Sequence, residues 1–442
     1  MLRISILDKL LEMNNYPIID CTEKYHSIMV FDKNKNVPVH RWYPFVEGYS
    51  KEFIDDILSE LTYTPKCVLE PFCGSGTTPV ELQLRGIKCH SFEVSPFMYL
   101  LATTKMCPDY KPTELQDVIE CLKTALARVP KQIRDYEEIP FGPTVVNTGK
   151  LKKYNFHDSA IDGLLDIRYA IKNTVKDENY RKLCYVALAS IIMESSNMFR
   201  NGKCLSYRKG WQDKVLTRQQ VHESFLMKLS TEILEDIQKG SEQTLASSNG
   251  QLCCYGDVRA NIRQIDDNSI DLIITSPPYL NSRDYTDIYM LELKVLELIK
   301  TYEELRELRE RTLRSHVQVR YEELKPINND RLITCLKEMR EQKDVASWNS
   351  DILNMVCGYF EDMQELFRNF RRVMRKGGKI YFNVANSAYF GVEVPVDLIV
   401  SDIAEVQGFE VQEIRKARDL KTSPQQKGKV EKLRESIIII NS

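Results

Sequence analysis

Asp271-Leu-Ile-Ile-Thr-Ser-Pro-Pro-Tyr279 is the stretch that decides the fold. Its mostly apolar first half reads as a strand buried in a parallel sheet. Pro277 and Pro278 cannot continue a strand ladder, because proline lacks an N–H donor and holds φ near about −65°. The backbone therefore leaves the sheet at its C-terminal edge in a stiff, extended shape. The Ser276 hydroxyl and the carbonyls of Ser276 and Pro277 then face the crevice where open α/β sheets bind ligands, with the Tyr279 ring following. Rigid acceptors beside a flat ring suit a planar, amine-bearing ligand such as a nucleobase.

A second unit lies upstream. Cys67-Val-Leu-Glu70 reads as a short strand running into Pro71-Phe-Cys-Gly-Ser-Gly-Thr-Thr78. A helix from Pro79 to Leu84 ends at Gly86, and Ile87 to Phe92 forms the next strand, closing on Glu93. Strand, glycine turn, helix, strand, acid is the first unit of a Rossmann-like sheet. Gly74 and Gly76 let backbone approach a ligand closely, and Glu93 can accept from ribose hydroxyls. A P-loop needs Lys where Thr77 stands, and a dinucleotide fingerprint needs Gly where Pro79 stands. The crowded turn from Phe72, Cys73 and Ser75 to Thr77 and Thr78 suits an adenosine ligand without phosphates. The alternative is a tight structural turn. Asp257, closing the short strand Tyr255-Gly256-Asp257, is a second candidate acceptor.

The 442 residues allow one large core or several smaller ones, and the net charge of −2 means that any nucleic-acid surface is a local patch. The 12 cysteines are scattered without a C-x-x-C pair, which predicts reduced thiols, a cytoplasmic protein and no metal site. No apolar run is long enough to span a membrane. Organisation follows from composition: residues 1–107 hold an N-terminal segment and the cofactor-binding half of the sheet. Residues 108–250 form a helical insertion, 251–298 the catalytic half, 299–351 a second helical insertion, and 352–442 the rest of the sheet with C-terminal antiparallel strands. Local expectations are a helix around Ile4–Met13, a strand near Ser27–Phe31, an amphipathic helix from Ser50 to Leu61, and one helix from Met290 to about Arg314. Residues 315–350 read as irregular. A helix from Ile352 to Met374 is closed by Gly377-Gly378, and the loop Lys421–Lys429 is basic. Within the first insertion Arg200, Lys203, Arg208 and Lys209 alternate with Phe199 and Tyr207, a pattern that fits either nucleic-acid contact or a solvated loop.

Together these residues resemble the amino-DNA methyltransferases, which methylate exocyclic amines of cytosine or adenine. Phe72-Cys-Gly-Ser-Gly76 looks like their S-adenosylmethionine loop, with Glu70 at its entry, and Ser276-Pro277-Pro278-Tyr279 like their catalytic tetrapeptide. Glu93 falls where the family's ribose acid lies and Asp257 where an adenine contact lies. Trp42-Tyr43-Pro-Phe45 is similar to the segment that closes over the methionine part of the cofactor. The resemblance covers roughly half of the chain. It implies an α/β, Rossmann-like class I methyltransferase sheet with two largely helical insertions, S-adenosylmethionine as cofactor, double-stranded DNA as substrate and a possible cognate restriction endonuclease. Ser in the first motif position points to cytosine N4; adenine N6 is the alternative, and a non-catalytic DNA-binding subunit with the same fold is the alternative of another class. No cysteine follows Pro277, which disfavours covalent catalysis.

Overall fold

The computed structural model describes residues 15–202, 204–242, 251–281, 284–321, 324–342, 351–422 and 430–442. The helix expected around Ile4–Met13 and most of the basic loop Lys421–Lys429 lie outside the described residues. In chain order the strands are β1 (Ile18–Asp20), β2 (Cys67–Glu70), β3 (Lys88–Glu93), the hairpin β4 (Met198–Asn201) and β5 (Cys204–Tyr207), β6 (Leu252–Tyr255), β7 (Ile270–Thr275), β8 (Met374–Ala385), the hairpin β9 (Ser387–Tyr389) and β10 (Val392–Val394), β11 (Glu410–Lys421) and β12 (Lys432–Asn441). Eight of them form one sheet in the order β1-β11-β12-β8-β7-β2-β3-β6. The run β8, β7, β2, β3, β6 is parallel. Only β12 opposes its neighbours β8 and β11. From β2 the chain winds outward through β3 to β6, then returns to β7 and β8 on the other side. The switch of direction therefore lies between β2 and β7, the place where doubly wound sheets bind ligands. The fold is an α/β, Rossmann-like sheet.

Every residue of β2 and β7 is buried. That includes Asp271, an acid in a central strand. Its carboxylate accepts from the backbone N–H groups of Lys66 at 2.7 Å and Cys67 at 2.9 Å, and pairs with Arg375 at 2.8 Å. Asp271 thus fastens the start of β2 to the start of β7. The long helix Asp351–Val373 covers one face of the sheet, with Phe360, Leu366, Phe367 and Phe370 fully buried. Phe367 meets Phe382 of β8 at 5.1 Å between ring centroids and Phe370 at 5.4 Å. The helices Asp158–Thr174 and Glu178–Ser195 share a separate apolar cluster with Trp42, Tyr43, Phe97 and the segment from Ile288 to Leu308. Inside it Arg168 is buried, paired with Glu137 at 2.6 Å and donating to the Val295 carbonyl at 2.7 Å. Among the described residues no helix is long and apolar enough to cross a membrane.

Several local expectations need correction. The residues near Ser27–Phe31 form no strand; Ile28, Met29 and Phe31 are buried in turn as the chain enters a 3-10 segment, Phe31–Asn36. The edge strand β1, parallel to β11, has only three residues and too little pattern to announce itself. The helix expected from Met290 to Arg314 is two helices, Met290–Val295 and Tyr302–Arg311, broken where Glu297 takes φ 55°. Residues 315–350, read as irregular, contain the helix Asp330–Glu341, started by Asn329 accepting from Leu332 N–H at 2.9 Å. Gly377-Gly378 does not close the long helix. The helix stops at Val373 and both glycines lie inside β8, where a Cβ on Gly378 would sit 2.8 Å from the Asp271 carbonyl.

Phe367→Ala tests the packing of helix on sheet. Truncating this fully buried ring is expected to cost about 3–5 kcal/mol, measured as a lower denaturant midpoint at unchanged slope; a cost under about 1 kcal/mol would contradict the packing described.

Candidate active site

The site begins where β2 and β7 end, side by side. Glu70, the last residue of β2, is buried, and its two oxygens tie four elements together. One accepts from the Thr275 hydroxyl at the end of β7 at 2.7 Å and from Phe72 N–H at 3.1 Å. The other accepts from the Tyr49 hydroxyl at 2.6 Å and from Thr78, in the first turn of the helix Thr77–Leu84, at 3.1 Å. Burial wins over these four bonds and pushes the Glu70 carboxyl up to about 7. Thr275 immediately precedes Ser276, so one side chain sets both loop positions.

The glycine turn follows. Gly74 has φ +52° and Gly76 φ +83°, left-handed values that glycine adopts without strain. A Cβ on Gly76 would also stand 3.1 Å from both Cα and Cβ of Ala102. Glu93, at the tip of β3, faces the turn. Its oxygens accept from Gly74 N–H at 2.7 Å and Ser95 N–H at 2.8 Å, and burial pushes its carboxyl up to about 7. Its remaining exposure is to the cavity. Phe45 lies over Gly74, with its ring 3.5 Å from where a Cβ would be, and stacks on Tyr289 at 5.8 Å.

Across from this turn, Tyr279 N–H donates to the Tyr285 hydroxyl at 3.0 Å, which fixes the far end of the proline pair. The Ser276 hydroxyl donates to the Tyr279 hydroxyl at 3.2 Å, and Tyr279 donates to Glu435 at 2.6 Å. Both loops open on one cavity of about 470 Å³, within the usual size range of small-molecule sites.

The N6/N4-type DNA methylase family model matches residues 270–442. The Type II methyltransferase M.BsoBI of Geobacillus stearothermophilus is 27% identical, over 96% of this chain and 89% of that protein. M.AvaI of Nostoc is 25% identical over 88% and 82%, and M.MvaI of Kocuria varians 21% over 82% and 80%. Over residues 270–442 the chain is similar to the N6/N4-type DNA methylases, and over most of its length to these Type II methyltransferases.

An amino-DNA methyltransferase takes its methyl group from S-adenosylmethionine, and this cavity suits that cofactor. The turn Phe72–Thr78 holds no lysine or arginine for phosphates, while its glycines leave room for an adenosine and Glu93 offers it an acceptor. Of the positions singled out in the sequence, Phe45, Phe72, Cys73, Gly74, Ser75 and Thr77 line the cavity. So do Glu93, Asp257 and all four residues Ser276, Pro277, Pro278 and Tyr279. Asp257 is not a free acceptor, since it pairs with Arg259 at 2.7 Å.

Other positions stand behind the wall. Glu70, Gly76 and Thr78 build the turn without lining the cavity. Trp42 donates its indole N–H to Asp236 at 3.0 Å, and Tyr43 its hydroxyl to Glu292 at 2.8 Å; both are buried in the helical cluster. Arg200 is no free cation. It is paired with the buried Glu292 at 2.5 Å and lies over the Tyr43 and Tyr289 rings, although it reaches the cavity wall. Arg208 turns to the Met193 carbonyl and Glu194, both at 3.3 Å; Lys209 is exposed away from the cavity, and Lys203 lies outside the described residues. Sequence reading missed Tyr49, Asn383, Arg418 and Glu435. Asn383 is a polar residue inside the apolar strand Ile380–Val384, and Glu435 stands at the head of an isoleucine run; both were local signals. Tyr49 carried none.

Glu70 also gives a pH signature. A carboxyl held above its unfolded value of 4.5 stabilises the fold fully below that value and loses the contribution as pH rises toward about 7. The shift corresponds to roughly 3 kcal/mol. Chemical denaturation between pH 5 and pH 8 is expected to show stability falling with pH, and falling less in Glu70→Gln; identical slopes would contradict the assignment.

Proposed function

We propose that this chain is a site-specific DNA methyltransferase that methylates the exocyclic N4 of cytosine in double-stranded DNA, as the modification partner of a restriction endonuclease. The observation that carries this reading is the shared cavity: the glycine turn with Glu93 on one wall and Ser276-Pro277-Pro278-Tyr279 on the other. The Type II relatives support the restriction-modification setting. Serine as first residue of the tetrapeptide supports N4, because the family's adenine enzymes lean to Asp or Asn there.

S-adenosylmethionine supplies an electrophilic methyl on a sulfonium. The exocyclic amine is a poor nucleophile, because its lone pair is delocalised into the ring. Ser276 Oγ and the Pro277 carbonyl accept its two hydrogens, which favours a pyramidal nitrogen and frees the lone pair toward the methyl group. Tyr279 offers its ring face to the base, which must leave the duplex to enter the cavity. Holding both partners in this geometry supplies most of the rate. The hairpin β4–β5 reaches the cavity through Arg200 and Gly202, which supports the reading of the segment 108–250 as the part that faces DNA. Its Arg200 acts there as a fixed part of the wall, held by Glu292.

Nucleoside mass spectrometry of DNA treated with the chain and S-adenosylmethionine tests this reading. N4-methylcytosine is expected, with Ser276→Ala losing at least about 10²-fold in transfer while cofactor affinity stays within a few-fold. N6-methyladenine would overturn the base assignment, and normal transfer by Ser276→Ala would overturn the site.

A further inference from the structure

Ser276 poses a chemical question that the tetrapeptide does not answer. A serine hydroxyl accepts a hydrogen bond but does not keep a proton, and methylating an amine releases one. The structure offers a destination. Glu435, on β12, is 1% exposed and lies two strands from Ser276 across the sheet, yet it lines the same cavity. One of its oxygens accepts from the Tyr279 hydroxyl at 2.6 Å and from Asn383 Nδ2 at 3.1 Å; the other is paired with Arg418 of β11.

The donor count fixes the direction of this chain. A carboxylate only accepts, so Tyr279 spends its one proton on Glu435. The Tyr279 oxygen is then left to accept, from Ser276 Oγ at 3.2 Å and from Asn383 Nδ2. Ser276 in turn spends its one proton on Tyr279. Its oxygen lone pairs are thereby left as acceptors: Asn383 Nδ2 stands 3.3 Å from this oxygen but shares its two hydrogens among Ser276, Tyr279 and Glu435, so a lone pair remains to receive an amine hydrogen. Bonds aligned head to tail polarise one another, which makes the serine oxygen a better acceptor than an isolated hydroxyl. Burial and the Glu435 charge hold the Tyr279 phenol far above the ordinary tyrosine range, so it serves as a conduit rather than as a phenolate.

We propose that Glu435 is the proton acceptor of the methyl-transfer step, reached from the substrate amine through Ser276 Oγ and Tyr279 Oη. The proposal rests on the reading of Ser276-Pro277-Pro278-Tyr279 as the amine site. As the N–CH₃ bond forms and the S–CH₃ bond breaks, the sulfonium becomes a neutral thioether and the nitrogen carries the positive charge. One N–H proton passes to Ser276 Oγ while the serine proton passes to Tyr279 Oη and the tyrosine proton to Glu435. Serine and tyrosine end unchanged, and the net result is one proton moved from nitrogen to a carboxylate. A nitrogen bearing the new methyl and both hydrogens is a far stronger acid than a carboxylic acid, so even an arginine-paired carboxylate accepts its proton downhill. Glu435 is thus a positioning residue that acts through Tyr279, and it supplies the charge that other family members carry in the first position of the tetrapeptide.

Single-turnover transfer of labelled methyl from S-adenosylmethionine to unmodified genomic DNA tests this. Glu435→Gln keeps the size and one accepting oxygen for Tyr279 but removes the charge and the Arg418 pair; Tyr279→Phe keeps the ring and the Glu435–Arg418 pair but cuts the chain. Each is expected to slow transfer about 10²-fold with cofactor affinity within threefold, and the double variant to be no slower than the slower single one. Formate, and not chloride, should speed Glu435→Ala. A Glu435→Gln rate within threefold of wild type, or formate and chloride acting alike, overturns the relay. If Ser276→Ala is inactive in that case, the function proposed above stands and only the relay fails; if Ser276→Ala is also normal, both fail.

Discussion

Two carboxylates exchanged between neighbouring parallel strands hold the centre of this molecule. Asp271, early in β7, accepts from the backbone where β2 starts; Glu70, the last residue of β2, accepts from Thr275 where β7 ends. β7 thus grips β2 at one edge of the sheet, and β2 grips β7 at the other. The second grip sets the geometry that matters, because the glycine turn leaves from Glu70 and the proline pair leaves from Thr275. Fixing those two residues relative to each other fixes the two walls of the cavity. Tyr49 adds a third attachment from outside the sheet, so the turn is held from below and from the side.

Placing acids in a low-dielectric interior is costly, and Glu70 and Glu93 show it: burial holds both near 7 despite several hydrogen bonds each. Replacing Glu70 by an apolar residue would leave Thr275, Thr78 and Tyr49 without their shared acceptor, and the strand tips would lose their common reference. The acids therefore trade stability at higher pH for a single arrangement of the two loops, the kind of local conflict expected where a fold is organised around a site.

The parts legible in the sequence were those whose signal is local. The strand–turn–helix–strand run from Cys67 to Glu93 and the break at Ser276-Pro277-Pro278 each carry their own pattern, and from these two units the parallel sheet and its ligand edge followed. The reversed C-terminal strands were also readable, from the apolar runs near Val411 and Ile437. What escaped depended on distant partners. Glu70 looks like any strand-end acid until Tyr49 and Thr275 are seen around it. Trp42 and Tyr43 looked like ligand contacts, but Asp236 and Glu292, at least 194 residues away in sequence, hold them in the helical core, while Arg200, paired with the same Glu292, still reaches the cavity wall. The glycines at 377 and 378 looked like a helix stop; the bulged pairing of β7 with β8 gave them another use. Backbone geometry at Glu297 split a helix whose apolar pattern ran on unbroken.

The central claim is that the glycine turn and the proline pair form opposite walls of one cofactor-and-base cavity. Photo-crosslinking with methyl-labelled S-adenosylmethionine, followed by peptide mapping, tests it most directly. Label confined to peptides carrying Phe45, Phe72–Thr77, Met98 or Ser276–Tyr279 is the predicted result. Label on peptides from the helices Asp158–Thr174 or Glu178–Ser195, with none on these loops, would contradict it.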